Sequence, residues 1–472
     1  MSNAVVVGSG PNGLAAAVTL ARAGVSVTVL EAEAELGGGT RSGELTLPGL
    51  LHDHCSAIHP TGAGSPFLRS LDLAAHGLHW AFPEIDLTHP LDGGDSAVLV
   101  RSLDDTAAGL GVDGPSWRRL FGPLTDHYDA LSDEILRPIA HLPRHPLLLA
   151  RFGLAALPPA TLLARRWRTE RARALFAGLA AHAIAPLSHP ASPAVGLVQG
   201  VLAHRHGWPV ARGGSRAITA ALADVLRQHG GVVETGVRVS TFADIGEADT
   251  VLLDLAPGNA ARILGDRLPP RVARAYRAYR HGPAVFKVDL AVHGGVPWRD
   301  EASRRAGTVH VGGTLAEIAH AERDIARGRM PARPFVLVGQ QYLADPTRSA
   351  GDLHPVYAYA HVPHGYLGDA TGVVLDQLER FAPGLRERVA ATAVTSPAGF
   401  ERTNANYVGG DVITGANSPW QLLARPRLAR DPYSTGIPGV YLCSAATPPG
   451  AGVHGMCGHH AARSALRHLG LG

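Results

Sequence analysis

The first thirty residues constrain this chain more than any other part of it. Ala4-Val5-Val6-Val7 runs into Gly8-Ser9-Gly10-Pro11-Asn12-Gly13, an alanine-rich stretch follows, and Val25-Ser26-Val27-Thr28-Val29-Leu30 ends on Glu31. A β-branched strand, a Gly-x-Gly-x-x-Gly turn, a helix and a second strand closed by an acid make one βαβ unit with its turn chemistry in place. Gly8 permits the tight turn, Gly10 lets the backbone approach a pyrophosphate, and Gly13 lets the helix close on the strand. The helix, which starts at Pro11 and Asn12, then presents the free N–H groups of its N-terminus to the phosphates, and Glu31 stands where a ribose hydroxyl needs an acceptor. The unit predicts a bound dinucleotide.

Two further glycine-rich segments narrow the choice. Leu36-Gly37-Gly38-Gly39-Thr40-Arg41-Ser42 follows the second strand directly. A nicotinamide domain has no need of it, whereas a long dinucleotide lying across the domain can use a close backbone approach at Gly38, Gly39 and Thr40 and the charge of Arg41. Near the C-terminus, Gly439-Val440-Tyr441-Leu442 leads through Thr447-Pro448-Pro449 to Gly450-Ala451-Gly452-Val453-His454-Gly455, which repeats the spacing before a final helix. Only 17 residues follow Gly455, too few for a partner strand with its acidic end. What remains is a helix N-terminus and glycine turns set against a negatively polarised group, such as the edge of a flavin ring. Gly450, Gly452, Val453 and His454 are the candidate contacts.

These segments together resemble the superfamily of FAD-dependent amine oxidases and phytoene desaturases, and the resemblance runs over essentially the whole chain. Pro448 stands where carotenoid desaturases proper carry a His, so the closing motif is more similar to the phytoene dehydrogenase-related branch. The resemblance implies FAD as cofactor and an α/β fold, with a Rossmann-like FAD-binding domain of the glutathione reductase type interleaved with an α+β substrate domain. It places FAD-domain segments at 1–75, 205–268 and 401–472, a helical part of the substrate domain at 76–204, and its sheet at 269–400. It also implies a backbone contact from Val239 near the adenine end and a turn after Asp254 close to the cofactor. The implied activity is a dehydrogenase that removes hydride from a small hydrophobic substrate, an isoprenoid or polyene, to flavin N5. With no second nicotinamide domain visible, electrons leave to oxygen, a quinone or another carrier. An amine oxidase releasing peroxide is the alternative within the fold, although no aromatic pair is visible near the C-terminal motif. A non-catalytic FAD-binding partner protein is the other.

Lys287 is the only lysine in a chain that otherwise uses arginine. A compact ammonium kept at one place suggests a role that a broad guanidinium cannot fill. Val285-Phe286-Lys287-Val288-Asp289 reads as a strand with Lys287 and Asp289 on one face. The readings are a catalytic amine near the flavin and a surface ion pair with Asp289. His454 is the second candidate for catalysis.

Composition closes off other classes. Hydrophobic residues at 46% and charged residues at 18% describe a folded protein, and a net charge of +3 is too mild to call for nucleic acid. Three cysteines lack disulfide or metal spacing, which suits a reducing compartment. A strand beginning at residue 4 leaves no room for a leader, so a cytoplasmic protein is expected. His52 and His54 share a strand face, yet nothing completes a metal set; His54, Ser56 and His59 are candidates to line the site. The apolar run in Pro146–Pro159 is well short of the roughly 20 residues of a membrane span. With Arg165, Arg166, Arg168, Arg171, Arg173 and Trp167 after it, the segment reads either as a core helix followed by a solvated one or as a surface lying on an anionic membrane. The oligomeric state stays open.

Overall fold

The computed structural model describes residues 2–472. Its centre is the strand Asn3–Val7, whose valines are covered on both faces, as a parallel strand requires. It lies third in a five-stranded parallel sheet, in the order Val440–Leu442, Thr250–Leu253, Asn3–Val7, Ser26–Leu30, Val232–Glu234. Three distant parts of the sequence therefore build one nucleotide lobe. Helix Pro11–Arg22 buries Leu14, Ala15, Ala16, Ala17, Val18, Leu20 and Ala21. Its small side chains let the C-terminal helix Met456–His468 lie against it, so closely that a Cβ on Gly458 would fall 1.8 Å from the Asn12 carbonyl oxygen.

The second sheet has seven strands, in the order Val389–Thr395, Ala284–His293, Leu353–Val362, Val336–Gly339, Ala306–Val311, Ile85–Pro90, Ser96–Leu99. All pairs are antiparallel except Ile85–Pro90 with Ala306–Val311, which is parallel. The antiparallel sheet expected beyond residue 269 is present, but the segment 76–204 is not purely helical. It opens with a hairpin that completes the sheet. Ile85–Pro90 escapes a reading by alternation because both its faces are buried: Asp86 accepts from the Trp208 N–H (3.1 Å), Thr88 Oγ1 meets Ser303 Oγ (2.8 Å), and His89 Nε2 donates to the Gly313 carbonyl (2.7 Å). Val237–Val239 lies in a loop tied to the sheet by Val237 N–H to the Glu31 carbonyl (2.8 Å).

Among the described residues no single helix is long and apolar enough to cross a membrane. Helix Pro146–Ala156 and the helical stretch Ala160–Arg166 meet at 95°. Leu147, Leu154 and Leu157 on this bent pair face solvent, whereas Trp167 is buried. The segment is thus neither a plain core helix nor a tryptophan-anchored surface.

Candidate functional site

The first glycine turn is closed by contacts that leave no room for side chains. Gly8, at φ +100°, donates its N–H to the Leu30 carbonyl (2.8 Å). A Cβ on Gly13 would lie 2.1 Å from the Gly8 carbonyl oxygen, and one on Gly10 would lie 2.8 Å from an Asp254 carboxylate oxygen. The helix start is therefore pressed onto the strand ends, with Gly10 as its N-cap and Pro11 and Asn12 on the wall of a cavity of about 610 Å³. Glu31 Oε2 accepts from Ser9 N–H (2.9 Å) and Ser9 Oγ (2.6 Å), and Oε1 from Glu33 N–H (2.9 Å). The acid that the sequence assigns to a ribose thus also ties the glycine turn to the second strand.

The second glycine turn joins this wall. Gly38 packs on Gly10, where a Cβ would sit 3.3 Å from the Gly10 Cα, and a Cβ on Gly39 would meet Tyr407 Oη at 1.9 Å. Thr40 Oγ1 turns inward to the Gly37 carbonyl (2.8 Å), and Arg41 Nε donates to the Gly38 carbonyl (3.0 Å). Val239, Gly452 and Val453 complete the wall on other sides.

The seven-stranded sheet supplies the opposite wall. Val285 and Lys287, Leu337, Tyr357 and Tyr359, and Thr308 all project from one face into the same cavity. Gly339 is required there, since a Cβ would fall 2.1 Å from the Tyr357 ring. His182, Ile184, Val195 and Gln199 close the space from the helical side.

Lys287 lies in this wall, 1% exposed, and donates from Nζ to the Asp53 carbonyl (3.0 Å) and to the Asp289 carboxylate. The ion pair with Asp289 exists, but it is buried at the cavity and not on the surface. His52 Nδ1 is 3.3 Å from the same carboxylate. Beside this pair stands a second buried network: Arg348, fully buried, bonds to Asp53 and to Asp345. Burial pushes the Asp53 carboxyl up, but the Arg348 guanidinium and the donors Ser42 and Ser215 outweigh it and hold Asp53 at about 2.

Asp254, at the end of strand Thr250–Leu253, lies under the first glycine turn and accepts from Gly13 N–H (2.9 Å). Burial pushes its carboxyl up to about 7, the Gly13 N–H opposes this, and the charge of Glu31 adds to it. Below that value the acid is neutral and does not repel a pyrophosphate bound at the loop above it.

Most predicted contacts converge. Gly8, Gly10, Pro11, Asn12, Glu31, Gly38, Gly39, Thr40, Arg41, Val239, Gly452, Val453 and Lys287 line one cavity. Gly13 and Gly450 stand just behind its wall, and His454 does not line it. The His454 ring is buried, its Nδ1 accepts from the Met456 N–H (3.0 Å) at the start of the last helix, and burial pulls its pKa down to about 4. It is a neutral acceptor for the first N–H of that helix, whose N-cap is Gly455. Of the candidate lining residues, Ser56 and His59 reach the cavity and His54 does not. No metal-binding group of His, Cys, Asp or Glu occurs among the described residues. Sequence reading missed the carboxyl of Asp254, the parallel rings of Tyr357 and Tyr359 (centroids 6.3 Å apart) and Arg425, all on the wall. The tyrosines were recoverable from the alternation in Val356–His361.

Comparisons with known proteins agree with this geometry. Residues 6–72 match the family described as NAD(P)-binding Rossmann-like domain. The chain is 25% identical to the pyridine nucleotide-disulfide oxidoreductase domain-containing protein 2 of Rattus norvegicus, over 99% of this chain and 94% of that one. It is 27% identical to hydroxyneurosporene desaturase of Cereibacter sphaeroides, over 98% of this chain and 97% of the other. A solved oxidoreductase from Methanosarcina mazei shares the fold with a TM-score of 0.67 at 17% identity, covering 98% of this chain and all of that one.

Proposed function

Starting from a phytoene desaturase-like, FAD-dependent oxidoreductase, we propose that this chain dehydrogenates an apolar substrate at a C–H bond. One observation carries the reading: the dinucleotide loops and the inward face of the seven-stranded sheet line a single cavity. A cofactor held by the loops would face a substrate held by the sheet. The residues present fit FAD. Gly8, Gly10, Gly38 and Gly39 line the cavity with backbone alone, and the buried Asn12 Oδ1 at the cavity has no partner among the described residues. FAD, when bound, supplies the two-electron acceptor.

The chain's own groups do the rest. N–H groups at the start of helix Pro11–Arg22 would hold the pyrophosphate, Glu31 would accept from a ribose hydroxyl, and the backbone at Gly452 and Val453 would meet the ring. Val285, Leu337 and the two tyrosines exclude water from the substrate side. Lys287 fixes a positive charge at that wall, already paired to Asp289, so it orients groups there without changing the net charge. Replacing Lys287 by Arg leaves FAD bound and slows flavin reduction by substrate, because the broader guanidinium cannot keep both acceptors in the same space. Unchanged reduction kinetics remove Lys287 from the mechanism. Exposed Leu147, Leu154 and Leu157, with Arg144 and Arg151 nearby in the sequence, support collection of substrate from an anionic lipid surface.

The test is the absorbance spectrum of the purified protein, release of the chromophore with denaturant, and anaerobic titration with a lipid extract presented in anionic vesicles. Released FAD and bleaching by an extractable lipid are expected; reoxidation by oxygen or a quinone then identifies the acceptor. The parallel pair Tyr357 and Tyr359 favours a second reading, an amine oxidase, which predicts peroxide release with an amine panel instead. FAD that no lipid or amine bleaches points to a binding protein. A colourless protein that cannot be reconstituted overturns the reading.

A further inference from the structure

Three cationic side chains are buried among the described residues: Lys287, Arg348 and Arg425. Two are neutralised, Lys287 by Asp289 and Arg348 by Asp53 and Asp345. Arg425 differs. It is 2% exposed, it lies on the cavity wall, and no carboxylate forms a salt bridge with it among the described residues. Its Nε donates to the Gln421 carbonyl (3.3 Å) and one terminal nitrogen to Asn417 Oδ1 (2.8 Å), both neutral acceptors. The other terminal nitrogen faces Gly450, where a Cβ would come within 2.7 Å of it.

A buried guanidinium without an anion is costly in a low-dielectric interior, and the two neighbouring cases show how this fold meets that cost. The third has a cavity where the others have a carboxylate. Its position says which anion is missing. Asn417, its partner, also lines the cavity and donates from Nδ2 to the Ala183 carbonyl (2.9 Å), so Arg425 stands where the C-terminal motif meets the helical side near Ile184. Its hydrogen bonds run to Gln421 and Asn417, and none runs to the glycine turn of residues 8–13 or to Glu31. We infer that Arg425, held by Asn417, binds a carboxylate on the substrate, so that the substrate class is an apolar acid. This rests on the reading of the cavity as the shared flavin and substrate chamber. It also disfavours a protonated amine, which would meet an uncompensated positive charge.

The experiment uses the FAD-loaded protein and follows the visible flavin band during titration with octanoate, oleate, their methyl esters and the corresponding alcohols. For the wild type, the acids perturb the band at concentrations at least about tenfold lower than the esters or alcohols. Arg425→Gln abolishes that preference while leaving ester binding and FAD content unchanged, and Arg425→Lys restores part of it. Asn417→Leu, which keeps the charge and loosens its aim, weakens acid binding several-fold. Equal binding of acid and ester by the wild type, no perturbation by any of them, or a preference that survives in Arg425→Gln overturns the inference. Loss of FAD from Arg425→Gln assigns Arg425 to the flavin and likewise overturns it. Because the readout is binding, a selective acid that never bleaches the flavin keeps this inference while the dehydrogenase reading fails.

Discussion

The two Gly-x-Gly-x-x-Gly segments share a spacing and differ in why they need it. In the first, only Gly8 has a positive φ; Gly10 and Gly13 have ordinary backbone, and what forbids a side chain is a neighbour, the Asp254 carboxylate or the Gly8 carbonyl. In the second, Gly450, Gly452 and Gly455 all have positive φ, at +112°, +139° and +68°. The demand there is a backbone path. Close approach is added at Gly455, where a Cβ would lie 2.8 Å from Ala15 Cβ, and is tightest at Gly458, a turn inside the helix, where it meets the Asn12 carbonyl. The first motif grips its own helix onto its own strand, and the second winds the chain so that one helix can lie on another. Equal spacing is thus no guide to equal role.

That contrast can be broken by substitution. The largest effect is expected at Gly458→Leu, because the obstacle is backbone of the first helix and neither helix can move without opening the cavity. Loss of soluble, FAD-containing protein is expected; near-normal melting would show that the two helices slide freely. Next come Gly13→Ala and Gly455→Ala as a pair. Alanine at 455 adopts a left-handed backbone at a cost of about 1–2 kcal/mol and must ease its methyl away from Ala15 Cβ, 2.8 Å off, whereas alanine at 13 meets backbone at 2.1 Å and exceeds about 3 kcal/mol, the upper end of ordinary overpacking. Chemical denaturation of the two variants orders them, and the reverse order refutes the division into spatial and conformational glycines. Glu31→Ala follows, removing a charge-assisted acceptor worth about 1.5–3 kcal/mol, hence FAD retention weaker by about 10- to 100-fold. Full FAD occupancy on dilution would sink the ribose assignment.

The nucleotide lobe was legible because its first unit is local: strand, turn, helix, strand and acid all lie within the first 31 residues. The closing motif was legible for the same reason. His454 stays off the cavity wall because the left-handed turns at Gly452 and Gly455 aim its ring at Met456 N–H, which the local sequence does not reveal. Asp254 reaches the loop from 241 positions away through parallel pairing that no local pattern encodes. Ile85–Pro90 was hidden because a strand buried on both faces, with Asp, Thr and His bonded inside, lacks the alternation that marks a sheet. Lysine was conspicuous by rarity, and Arg425 was lost among the other arginines; only burial without a carboxylate sets it apart.

The smallest expected effect sharpens the comparison further, since only the first motif rests on an acid. The Asp254 carboxyl is raised to about 7, against about 3.9 for an exposed Asp. A raised carboxyl favours the folded, neutral form at low pH, and that contribution is lost as pH climbs from about 4 through about 7. The newly charged oxygen then lies under the loop that holds the pyrophosphate, so FAD retention should fall several-fold between pH 6 and 8. Asp254→Asn keeps an acceptor for Gly13 N–H, cannot ionise, and should flatten the profile while binding FAD at least as well at pH 8. FAD release measured by fluorescence across this range decides it: a slope that persists in Asp254→Asn places the titrating group elsewhere and leaves the first motif as insensitive to pH as the second.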